Sequence, residues 1–113
     1  MLNLNISKVK LIVTCPAGNF TEIREVLGNA GAGVIGNYTH CSISHDCIGS
    51  FKGNNSSNPH TGEKNKLEVI SEVKLEMQCD IDKVKHVLSE LRKTHPYKEP
   101  AIDIVPLLNE EDL

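Results

Sequence analysis

The chain has 113 residues, 15 acidic side chains against 12 basic ones, and a formal net charge of −3, which suits one hydrophobic core and not two. The acidic balance, with two Tyr, two Phe and no Trp, excludes a basic or base-stacking surface for nucleic acid. No apolar run reaches bilayer length and MLNLNISKVK has no signal-peptide pattern, so we expect a cytoplasmic protein with no membrane partner and its cysteines as free thiols.

Residues 8–14, KVKLIVT, alternate as a strand does, with Val9, Leu11 and Val13 on one side and Lys8, Lys10 and Thr14 on the other. Ile12 interrupts the polar row, so that face is expected to be partly covered. Pro16 and Gly18 end the strand, and Asn19 is the expected N-cap of a helix over residues 20–30. Phe20, Ile23, Val26, Leu27 and Ala30 share one helical face, and Gly31 can stop the helix with a positive φ.

Gly31-Ala32-Gly33-Val34-Ile35-Gly36 has the letters of a dinucleotide fingerprint. It follows a helix and leads into a strand, however, the reverse of what pyrophosphate binding needs. It reads as a glycine-permitted turn. A long strand is then expected over 38–52. Cys41, Ile43, His45 and Cys47 share one of its faces, expected to be the buried one, with the two thiols as small core residues. Tyr38, His40, Ser42, Ser44 and Asp46 share the other, where His40 can face a glutamate of the next strand. His45 and Cys47 are the same-face pair with ligand chemistry, and two ligands need a third from a neighbouring subunit.

Residues 51–65, FKGNNSSNPHTGEKN, read as an exposed hairpin tip. A second long strand over 66–78 puts Leu67, Val69, Val73, Leu75 and Met77 on the core face, and Glu68, Glu72, Lys74 and Glu76 on the other. Val73-Lys74-Leu75 and Cys79 repeat Val9-Lys10-Leu11 and Cys15 at the same internal spacing. Ile81, Val84, Val87, Leu88 and Leu91 then copy the first helix, with Asp80 as its expected N-cap. A strand over 101–107 follows, and residues 108–113 are expected to be an acidic, frayed tail beyond a single domain of residues 1–107. The order β-α-β-β-α-β predicts an α+β, ferredoxin-like sandwich: a four-stranded antiparallel sheet, a long β-hairpin and two helices on one face. Ile12 and Ile70 on the helix-free face predict self-association through that face.

This topology points to the end of the first strand, the hairpin tip and the loop after the second helix as the place for chemistry. They offer Cys15, His60, His95, Tyr97, Lys98 and Glu99. The loop from His95 to Pro100 is stiffened by Pro96 and Pro100, which suits fixed geometry. A thiol near an imidazole is a candidate nucleophile pair, but nothing in the sequence supplies an oxyanion hole, and no catalytic residue is assigned. We single out His95, Tyr97 and Glu99 as ligand-binding, with Cys15 and His40 as additions, and His95 and Glu99 as the metal-ligating pair.

Gly31-Ala32-Gly33-Val34-Ile35-Gly36-Asn37-Tyr38, then His40-Cys41-Ser42, resembles a signature of the Nif-three-like proteins of the YqfO/YbgI type. Gly49-Ser50-Phe51-Lys52, the Asn58-Pro59 to Glu68 stretch, and His95-Pro96-Tyr97-Lys98-Glu99-Pro100-Ala101 with Asp103 match in order. The resemblance covers the small insert, similar to CutA and PII proteins, that larger members carry within a two-metal body; here it is expected to stand alone. It implies a ferredoxin-like homotrimer that binds a small ligand, a divalent metal ion or a partner protein in clefts between subunits, without being an enzyme. The hairpin tip 51–65 is the implied protein-contact loop. The alternatives are a metal-dependent hydrolase activity, GTP-cyclohydrolase-like, inherited from the larger proteins, or a purely structural interaction module. Lys98 stands where the family motif is acidic, which removes one carboxylate of the loop.

Overall fold

A computed structural model describes residues 4–59 and 62–113. Its elements are β1 (Lys8–Cys15), α1 (Phe20–Ala30), β2 (Ile43–Lys52), β3 (Leu67–Asp80), α2 (Val84–Thr94) and β4 (Ile102–Leu107). The strands form one sheet in the order β2-β3-β1-β4 with every neighbouring pair antiparallel. Each helix therefore connects two parallel strands across an intervening one, as the split βαβ arrangement requires.

The internal repeat has a structural meaning. β1 and β3 pair so that Val9 faces Cys79 and Cys15 faces Val73. The two copies of the motif thus lie antiparallel at the centre of the sheet. Val9, Leu11, Val13 and Cys15 of β1, with Leu75, Met77 and Cys79 of β3, project onto Ile23 and Leu27 of α1 and Val87 and Leu91 of α2. This is the single core, and burying each of its Leu or Ile side chains contributes about 1.5–3 kcal/mol.

Both helices start differently from expectation. Ala17–Asn19 and Ile81–Lys83 are 3₁₀ turns that run directly into α1 and α2. Asn19 has helical dihedrals and Asp80 is extended, and neither side chain makes a capping hydrogen bond. Gly31 ends α1 at φ +114, with its N–H on the Gly28 carbonyl and the Ala32 N–H on Leu27.

The strand expected from residue 38 begins at Ile43. The residues before it fold into a compact turn. The Gly33 N–H donates to the Gln78 carbonyl and the Cys41 N–H to Gly33, which fastens the segment to the end of β3. Ile35 and Tyr38 exchange both backbone hydrogen bonds across Gly36 (φ +57) and Asn37, a two-residue hairpin turn. His40 sits at φ +58, with Nε2 3.0 Å from Asn29 Oδ1 and Nδ1 3.0 Å from Thr39 Oγ1. It packs on Gly28 of α1 and does not face a strand glutamate.

That turn sets a register opposite to the one expected for β2. Ile43, His45 and Cys47 pair with Glu76, Lys74 and Glu72, which places them on the helix-free face. Cys41 and Cys47 are only half-buried, and the core thiols are Cys15 and Cys79. Leu67 and Val69, at 62% and 63% exposure, are outside the core although they lie on the helix side of β3. The hairpin there has run past the ends of the helices. The C-terminal residues also differ from a frayed tail. Glu110–Asp112 form a 3₁₀ turn, and Asn109 bonds to Ser7 and to the Asn5 carbonyl.

Candidate functional site

The site is built at the end of α2. His95 precedes a proline, which disfavours helical dihedrals, and it leaves the helix extended at φ −67, ψ 133. The turn folds its ring inward, 6% exposed, against the end of β1. Nδ1 lies 3.0 Å from the Tyr97 N–H, which can only donate, so Nδ1 accepts. Nε2 then carries the proton and donates to the Thr14 carbonyl at 2.8 Å. His95 thereby ties the loop to the sheet.

Tyr97 stacks tilted on His95, ring centroids 5.0 Å apart. Its hydroxyl donates to Glu72 Oε2 at 3.1 Å. Glu72 projects from β3 and is 8% exposed. Its carboxylate passes over Gly49 of β2, where any Cβ would collide with Oε1. Burial first, then the hydrogen bond and charge of Glu72, push the Tyr97 hydroxyl up to about 12.

Between this loop and the hairpin tip lies a cleft of about 580 Å³. One wall is Tyr97, Lys98, Glu99 and Ala101, the other is residues 50–53 and 56–59, and Thr14 and Glu72 complete it. Of the ligand-binding candidates, Tyr97 and Glu99 line the cleft. His95 stands behind it as the support of Tyr97. Cys15 is fully buried in the core beside it. His40 lies at the C-terminal end of α1, away from these residues. His60 falls outside the described residues. Among the described residues no three His, Cys, Asp or Glu side chains converge as metal ligands, so His95 and Glu99 have no third partner there. Glu72 was missing from the sequence candidates because its spacing matches Glu68 and Glu76, both only half-buried. The signal that could have found it is Gly49, which makes room for it only in the observed register.

Burial raises Cys15 to about 11, with the charge of Glu72 second, so its thiol stays protonated near neutral pH and is a poor nucleophile. A raised thiol pKa also links folding to pH. The native state holds the proton more tightly, so this stability is complete below the unfolded thiol's pKa and is lost as pH rises towards 11. We expect the urea midpoint to fall between about pH 9 and 11, and Cys15→Ala to flatten that fall in paired denaturation curves. An unchanged slope in the variant would count against a buried protonated thiol.

No family model matches the chain. It is 40% identical over 104 residues to the GTP cyclohydrolase 1 type 2 homolog of Halalkalibacterium halodurans, covering 92% of this chain and 28% of that protein. The Bacillus cereus protein related to NIF3 superposes on 95% of this chain and 28% of its own, with a TM-score of 0.77 and 33% identity. The chain is homologous to the CutA-like insert of the NIF3-related proteins. CutA1 from Shewanella sp. SIB1 shares the fold over 93% of this chain and 85% of its own, at a TM-score of 0.71 and 16% identity. This CutA-like module spans about a quarter of the length of the curated relatives it matches. Among its described residues no helix is long and apolar enough to cross a membrane.

Proposed function

We propose that this CutA-like module is a ligand-binding unit without catalytic machinery of its own, which self-associates as a trimer and holds a small ligand in the cleft beside Tyr97. The observation that carries the reading is the cleft itself. A proline-bounded loop is fixed by two hydrogen bonds of one buried histidine, and the same loop aligns a tyrosine and a buried carboxylate on the cleft wall. Fixed polar groups in a concavity of several hundred Å³ are the usual form of a small-molecule site.

Self-association is supported by apolar side chains that the monomer leaves uncovered. Ile43 and Val105 are exposed on the helix-free face, and Ile48, Leu67 and Val69 on the helix side of the projecting hairpin. The GTP cyclohydrolase name of the relatives belongs to proteins about four times as long.

Native mass spectrometry of protein made without an affinity tag tests both halves. The expected spectrum is three times the chain mass with a bound small molecule, and Ala101→Trp, which fills the cleft from an exposed position, removes the adduct and keeps the trimer. A monomer would overturn the assembly. An adduct indifferent to Ala101→Trp would overturn the cleft.

A further inference from the structure

Among the described residues lining the cleft, Glu72 is the one charged side chain that is more than nine-tenths buried. Burying a carboxylate is unfavourable unless it is paired. Its described partner is the Tyr97 hydroxyl on Oε2, a neutral donor. Among the described residues the ion pairs are Lys10 with Glu76 and Lys93 with Glu90, and neither involves Glu72. Lys52 and Lys98, the cations that line the cleft, are exposed, as is Glu99. The cleft therefore holds an anion in its wall that its own lysines do not neutralise.

We propose that the cleft takes a small primary amine, with its ammonium group on Glu72; this rests on the cleft being the binding site. An ammonium is a compact donor of three hydrogen bonds with no acceptor. Glu72 supplies the charge, and the hydroxyls of Ser57 and Thr14 offer neutral acceptors around the same space. The faces of Phe51 and Tyr97, which also line it, suit a cation. A divalent metal ion fits less well, because hard cations need several oxygen ligands and no triad of acidic, His or Cys side chains converges among the described residues. Lys52 and Lys98 at the mouth favour an amine whose far end is a carboxylate.

The test is calorimetric titration of the tag-free protein with 4-aminobutanoate, butylamine, N-acetyl-4-aminobutanoate and butanoate. The expected result is binding of both amines, 4-aminobutanoate the tighter, and at least tenfold weaker binding of the acetylated compound and butanoate. Glu72→Gln, which keeps the shape and a Tyr97 hydrogen bond, abolishes that preference. The wild-type comparison of the amines with the acetylated compound and butanoate needs no variant, so the inference stays testable if Glu72→Gln does not fold. Equal binding of the acetylated compound, a preference that survives Glu72→Gln, or no binding of either amine would overturn the inference. Charge-indifferent binding that Ala101→Trp blocks would leave the cleft standing as a site while removing the ammonium. Binding unaffected by Ala101→Trp would remove the cleft as well.

Discussion

Gly33→Ala is expected to be among the most damaging single-methyl additions to this protein, lowering stability by about 3–4 kcal/mol through two independent penalties. The first is backbone strain, because Gly33 sits at φ +84, where an L side chain is disfavoured. The second is steric. A Cβ there would lie 2.7 Å from the Cys41 carbonyl oxygen, 2.8 Å from the Cys41 nitrogen and 2.8 Å from the Met77 methyl. Two of these are backbone atoms held by the Gly33–Cys41 hydrogen bond, so they cannot simply rotate away. A domain of this size is stable by about 5–15 kcal/mol, so the loss is a large fraction of the total. Gly36→Ala is the control. Its φ is +57 and its Cβ would meet nothing within 4 Å, so only the strain of about 1 kcal/mol remains. Urea denaturation of the two variants checks the contrast. Equal losses would mean that the close approach of Gly33 to Cys41 is not holding the turn.

His95→Ala is expected to cost about 2–4 kcal/mol and to open the cleft, because it removes the hydrogen bonds that the ring makes to two part-buried backbone groups. The Thr14 carbonyl loses its donor and the Tyr97 N–H loses its acceptor. Tyr97 then has no fixed position from which to reach Glu72. Its hydroxyl, held up at about 12 in the folded protein, should titrate closer to the ordinary tyrosine value. Ultraviolet titration near 295 nm reads this directly, with Tyr97→Phe identifying the step. Burial is the larger cause and Glu72 adds to it, since a neutral hydroxyl donates to the carboxylate and a tyrosinate repels it, so exposing Tyr97 and losing that contact both lower the pKa. A different outcome would make His95 a ligand and not a positioning residue. Stoichiometric metal in wild type, lost in His95→Ala with unchanged stability and unchanged tyrosine titration, would be that result.

The fold was legible because its signals are periodic. β1, both helices and the repeat of Val9 to Cys15 at Val73 to Cys79 come from spacing alone. The loop from His95 to Pro100 was also legible as a place, since two prolines bracket a histidine and a tyrosine. What spacing could not supply was the register of β2. The turn from Gly31 to Ser42 takes up the residues that would have extended that strand, and a shift of one position sends every side chain to the other face. Cys41 and Cys47 were misplaced for that reason, and Glu72 was overlooked for the same one. The role of His95 was hidden differently. Its ring engages the Thr14 carbonyl, 81 positions away, a contact invisible to local pattern. Leu67 and Val69 alternate like core residues, but no pattern says how far the helices extend along a hairpin.

Function is proposed to reside in the cleft between Tyr97 and the hairpin tip. Soaking crystals of the tag-free protein with a library of small polar fragments tests it most directly. Bound fragments are expected to cluster in that cleft, in contact with Glu72 or Tyr97. Fragments that gather elsewhere, with the cleft closed by a neighbouring protomer's side chains, would contradict it.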